Sequence, residues 1–136
     1  MVAVAAMILG FSSLGRAQGS TSGSRSSQGG VFSASQAEQG QELYGLRCRS
    51  CHTPAGQAMM FKDRWAGHPL SEPFQFISEN MPKDSPGALS PEETAAVLSY
   101  VLQFSGMPAG KDTLPADPDA LGHIQFDTLA TQSRHS

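Results

Sequence analysis

Two thiols and an imidazole stand together in Cys48-Arg49-Ser50-Cys51-His52, and the chain has no other cysteine. A C-x-x-C-H run suits covalent attachment of haem: the thiols add across the two vinyl groups of the porphyrin, and the following imidazole turns onto the iron. Three plainer readings fare worse. A disulfide closing so short a loop constrains little of the chain, and a redox dithiol needs no following histidine. A tetrahedral zinc site needs about four protein ligands, and no second cysteine pair exists.

Any scaffold holding this run must be small. The chain has 136 residues, of which 39% are hydrophobic and only ten are aromatic (seven Phe, two Tyr, one Trp). That is one domain with a modest protein core, to which a covalent porphyrin would add a large apolar disc. The first helix is expected to start at Ser33 or Ser35 as cap and run to about Arg47. Gly40, Tyr44 and Cys48 fall four apart along one face of it. Glycine inside a helix costs about 1 kcal/mol against alanine, so Gly40 signals close approach to another backbone, with a merely weak helix as the plain alternative. A second helix is expected from Ser71, as its cap, to just before Met81-Pro82, with Phe74, Ile77 and Met81 on one face. The third has the sharpest signature. Ser90-Pro91-Glu92-Glu93 reads as a capping box with proline at the first helical position. Val97, Tyr100, Val101 and Phe104 then make an apolar stripe that Gly106 and Pro108 end. No strand pattern competes, so the expected fold is all-α, three main helices around one attached haem.

Met1 to Ala17 reads as a targeting segment: mostly apolar from Val2 to Leu14, short for a bilayer span, with small residues around Gly15-Arg16-Ala17. No Lys or Arg precedes the apolar run, so a retained short anchor stays open beside a cleaved leader. Export suits the chemistry, since haem attachment of this type takes place outside the bacterial cytoplasm, and the expected location is the periplasm. Residues 18–32 read as a Ser/Gly-rich flexible linker, 33–127 as the folded domain and 128–136 as a frayed tail. Leu121 and Ile124 are expected to pin the extended segment after Gly110 to the core. A net charge of −3 argues against nucleic acid as a partner. Arg47, Arg49, Lys62 and Arg64 nevertheless form a basic collar near the attachment run, opposed only by Asp63. Such a collar steers acidic partners or is an ordinary solvated face.

The residues Gly40-x-x-x-Tyr44-x-x-x-Cys48-x-x-Cys51-His52, then Asn80-Met81-Pro82, then Pro86-Gly87-x-Leu89-Ser90-Pro91-Glu92-Glu93 closely resemble the class I cytochrome c family. The resemblance runs from about Gln36 to Ile124 and is greatest to small bacterial members that serve periplasmic dehydrogenases. It implies thioether bonds at Cys48 and Cys51, His52 as proximal ligand, Met81 as sixth ligand, and a crossing of the first and third helices near Gly40 and Tyr100. A thioether is a soft ligand that favours reduced iron, and Pro82 with Pro86-Gly87 would stiffen the loop carrying the Met81 sulfur. Met59, Met60 and Met107 compete with Met81, and His68, ahead of Pro69, is the strongest of the rival histidines over His123 and His135. Arg64 and Trp65 are candidate donors to a haem propionate, with core packing the plain alternative for Trp65. The family often has a longer loop after the proximal histidine, with a backbone carbonyl accepting from its ring. Here that acceptor would come from Pro54 to Ala58.

The reading is a periplasmic monohaem c-type cytochrome, an electron-transfer protein and not an enzyme. One covalent haem c would cycle between ferric and ferrous, taking single electrons from a dehydrogenase and passing them to an oxidase or another cytochrome. The alternative is a haem with an open or labile sixth site that senses a small ligand or reduces peroxide. A third possibility keeps the site but makes the chain a permanent subunit of a larger enzyme.

Overall fold

The computed structural model describes Gly10 and residues 25–132. The expected leader, apart from Gly10, lies outside the described residues, as do residues 18–24 of the expected linker and residues 133–136 of the expected tail.

Three of the long helices start where a polar side chain satisfies a free amide. In α1 (Ala34–Arg47), Ser33 Oγ accepts from Gln36 N at 3.1 Å. In α2 (Pro54–Trp65), Thr53 Oγ1 accepts from Gly56 N at 3.3 Å, with proline at the first position. In α4 (Pro91–Phe104) the capping box is complete: Glu93 N donates to Ser90 Oγ at 3.1 Å and Ser90 N to Glu93 Oε1 at 3.0 Å. The helix α3 (Ser71–Asn80) differs from expectation at its start. Leu70 occupies the cap position without a side-chain bond, and Ser71 is already helical.

The sequence reading left residues 54–65 without a helix, and α2 is the addition. It carries little amphipathic signal, because Phe61 is its only buried residue.

The α1–α4 crossing organises the molecule. A Cβ placed on Gly40 would lie 1.8 Å from the Ala96 carbonyl oxygen and 3.0 Å from Tyr100 Cβ. The absent side chain is what lets the two backbones touch there. The contact falls at the pair of positions the resemblance implied. Along α4, residues Thr94 to Ser99 together with Val101 and Leu102 are buried, so this helix runs through the core.

Both ends of the domain close over that core. After α4 come α5 (Pro118–Leu121), β2 (Ile124–Gln125) and α6 (Leu129–Gln132), and Leu121 and Ile124 are buried as expected. The expectation of a flexible linker reaching residue 32 is corrected. The strand β1 (Arg25–Ser26) pairs in parallel with β2, and a 3-10 turn (Ser27–Gly29) follows. Val31 and Phe32 are buried in the core. Ser27 Oγ accepts from Asp127 N at 2.9 Å and donates to Met107 Sδ at 3.1 Å. Composition misjudges residues 25–32 because their partners lie about a hundred residues away, Ser27 and Asp127 being 100 apart. The expected frayed tail likewise begins with structure, the short α6.

Candidate haem-binding site

The attachment run begins where α1 stops. Cys48 is the residue that ends the helix, and its N–H still donates to Tyr44 O at 2.9 Å. The chain then folds back on itself: Cys51 N and His52 N both donate to Cys48 O, at 3.1 and 2.9 Å. Two thiols and an imidazole are thereby gathered into one turn. Tyr44 fixes that turn from within, its hydroxyl donating to His52 O at 2.9 Å. Tyr44 is in turn fixed by α4, meeting Tyr100 and Phe104 edge-on with centroids 5.3 and 5.5 Å away. The helix crossing at Gly40 and the position of His52 are thus one connected arrangement.

The electrostatics follow from burial. Burial chiefly, with Cys48 and Tyr100 adding to it, pushes the Tyr44 hydroxyl up to about 12, so it stays a donor across the ordinary pH range. Burial also raises the Cys48 thiol, with Arg47 opposing.

The donor set fits a covalent haem. Cys48 and Cys51 are both free, one half-buried and one exposed, with His52 half-buried beside them. Leu46, Met59 and Met60, close in sequence to the run, are 82%, 70% and 60% exposed. Among the described residues no cluster of three or more His, Cys, Asp or Glu side chains is placed to hold a metal ion without such a group. Two surface crevices, of about 450 and 680 Å³, include none of Cys48, Cys51, His52 and Met81.

Met81 ends α3, its N–H donating to Ile77 O at 3.0 Å, and it is half-buried in extended conformation ahead of a buried, cis-linked Pro82. Two successive turns hold the following loop, with Ser85 N donating to Pro82 O and Ala88 N to Ser85 O. The rivals are placed otherwise. Met107 is buried with its sulfur accepting from Ser27 Oγ. His68 is half-exposed and sits 2.5 Å from Glu72 Oε2. His123 is exposed, and His135 lies outside the described residues. Arg64 stacks its guanidinium over Trp65 and Phe76, 4.8 and 4.4 Å from the ring centroids. Trp65 packs half-buried against the core, joining the end of α2 to α3.

Sequence reasoning placed Tyr44 on the right helical face but missed the role of its hydroxyl. Only a partner eight residues away and around a turn gives it one, and nothing local announces that. It also missed Gln57 in α2, whose Oε1 is buried without a hydrogen-bond partner among the described residues.

With this geometry in view, residues 35–101 match the family described as cytochrome C oxidase, cbb3-type, subunit III. The matched stretch runs from α1 into α4 and contains Gly40, Tyr44, Cys48, Cys51, His52 and Met81. The chain carries a c-type cytochrome domain, consistent with a class I-like monohaem cytochrome c. Its class is that of haem-based electron-transfer domains that hold haem c covalently. No curated protein and no solved structure matches the chain significantly. Among the described residues no helix is long and apolar enough to cross a membrane.

Proposed function

We propose that the chain is a periplasmic monohaem cytochrome that relays single electrons, with His52 and Met81 as axial ligands, from a dehydrogenase to an oxidase or a second cytochrome. The observation that carries this reading is the turn after α1, where two free thiols and an imidazole are held together and tied by Tyr44 to the α1–α4 crossing. When bound, the haem supplies a one-electron iron couple. The chain supplies the rest: Cys48 and Cys51 fix the porphyrin, and His52 gives a nitrogen donor from a restrained turn. Met81 gives a sulfur donor from the end of α3, and its loop is stiffened by turns on both sides of Ser85. Donors fixed in this way suit electron transfer, because little must rearrange when the iron changes charge. Arg64 and Trp65 are the proposed contacts for a propionate, the stacked guanidinium still presenting N–H groups to solvent. Arg47, Arg49, Lys62 and Arg64 are all exposed, which supports brief docking of an acidic partner.

The test is maturation. Expressed with a periplasmic haem-attachment system, the protein is expected to carry one haem mass that survives denaturation. Replacing His52 is expected to prevent stable holoprotein. Normal red protein from that variant would undo the ligand assignment.

One observation favours a second arrangement with the same site: the matching family is described as an oxidase subunit. If the chain is a permanent subunit, it co-purifies with a larger enzyme through high salt, whereas a free carrier separates.

A further inference from the structure

We propose that the side-chain oxygen of Gln57 accepts the Nδ1–H of His52 when the other ring nitrogen ligates iron, making Gln57 the positioning residue for the proximal imidazole. The inference rests on the haem reading above. An imidazole that gives one nitrogen to a metal presents the other as an N–H, and the acceptor it meets sets both ring orientation and ligand basicity. The expected acceptor was a backbone carbonyl from Pro54 to Ala58, but α2 uses those groups itself. Beginning at Pro54, it commits its early carbonyls to amides four residues on. Thr53 O already accepts from Gln57 N at 2.9 Å, and His52 O already accepts from the Tyr44 hydroxyl.

A side chain of the same helix is the better-placed acceptor. Gln57 Oε1 is shielded from solvent and has no hydrogen-bond partner among the described residues, an arrangement native proteins seldom leave unresolved. Its place in the helix supplies the second argument. Thr53 is the cap of α2, so His52 is the residue just before the cap and Gln57 the fourth helical residue. Those two positions lie one above the other at a helix start, close enough that apolar residues placed there often pack together. Here one of the pair carries a ring N–H in need of an acceptor and the other an orphan acceptor. A neutral amide in this place orients the ring without pushing it toward imidazolate, as a carboxylate would, and so favours a higher reduction potential.

The experiment uses haem-loaded wild type and the variants Gln57→Leu and Gln57→Glu, with two readouts besides electron-transfer activity. These are exchange of the His52 Nδ1 proton by nuclear magnetic resonance, and the reduction potential. Wild type is expected to show a slowly exchanging proton. Gln57→Leu is expected to lose that protection and to raise the potential, because the ring becomes a weaker donor. Gln57→Glu is expected to keep the protection and lower the potential. A merely structural role for Gln57 would change stability and leave the ring proton alone. Protection and potential unchanged in Gln57→Leu would overturn the assignment. Should that variant fail to accumulate, wild type decides: through-space contact between the His52 ring proton and the Gln57 side chain supports it, and no contact overturns it. Failure of the haem reading is recognised separately, by wild type that carries no covalent haem, and it removes this inference too.

Discussion

The hydroxyl of Tyr44 donates to the carbonyl oxygen of His52 across 2.9 Å, so the helix that leads into the two thiols also clamps the residue that follows them. Tyr44 is buried, and its ring is gripped by Tyr100 and Phe104 of α4. Movement of α4 against α1 would therefore be felt at the imidazole.

Removing that hydroxyl while keeping the ring isolates the clamp. Tyr44→Phe is expected to lose about 1 kcal/mol at neutral pH, the usual net worth of one hydrogen bond, while still attaching haem. The pH dependence has a definite sign. Because the folded-state value is raised from 10.0 to about 12, the neutral hydroxyl contributes stability that is fully present below pH 10 and is lost as pH rises through 12. Wild type and variant should therefore converge in denaturant titrations over that window. A constant difference up to pH 12 would contradict the assigned shift.

Two glycines of α1 should respond in opposite directions. Gly40→Ala drives a methyl group into the Ala96 carbonyl and is expected to cost about 3 kcal/mol or more, because backbone on α4 must move. Gly45 has nothing within 4 Å of its would-be Cβ, so Gly45→Ala should stabilise by about 0.5–1 kcal/mol through helix propensity alone. Thermal unfolding of the pair tests whether close approach, and not helix weakness, explains Gly40.

A buried side chain of α1 ties down the C-terminal wrap. Buried Gln36 donates from Nε2 to Leu114 O at 3.0 Å and accepts at Oε1 from Leu114 N at 2.7 Å, serving as a substitute backbone partner. Gln36→Ala would leave both Leu114 groups unpaired, with an expected cost of about 2–4 kcal/mol. Hydrogen exchange at the Leu114 amide should accelerate in step with the lost stability. Slow exchange in the variant would mean another group holds the segment.

The sulfur donor is tested by Met81→Ala. Haem should remain covalently bound, the reduction potential should fall, and the iron should bind added ligands. An unchanged potential would point to a different sixth ligand.

Much of this arrangement is legible in the residues, for reasons that also explain the gaps. Ser90-Pro91-Glu92-Glu93 encodes its helix start locally, and the complete capping box follows from it. Gly40 is legible because an interior glycine is costly unless something needs the space, and Ala96 needs it. The helix α2 escaped notice although Thr53-Pro54 is a sound start signal, since Met59 and Met60 face outward and give no apolar stripe. The strap at residues 25–32 is invisible locally: its strand pairs Arg25 with Ile124 and Ser26 with Gln125, distant in sequence. The same holds for the attachment turn. Cysteines and histidine announce the chemistry, but only the fold shows Tyr44 restraining His52 and Gln57 carrying an unpaired oxygen beside the cap of α2.

The most direct test of a His52/Met81 electron carrier is an absorption spectrum of the matured protein, oxidised, reduced, and reduced with carbon monoxide. The account predicts covalent haem with a thioether-to-iron charge-transfer band when oxidised and no response to carbon monoxide when reduced. Rapid carbon monoxide binding would contradict it, and the sensor or peroxidase reading with an open sixth site would take its place.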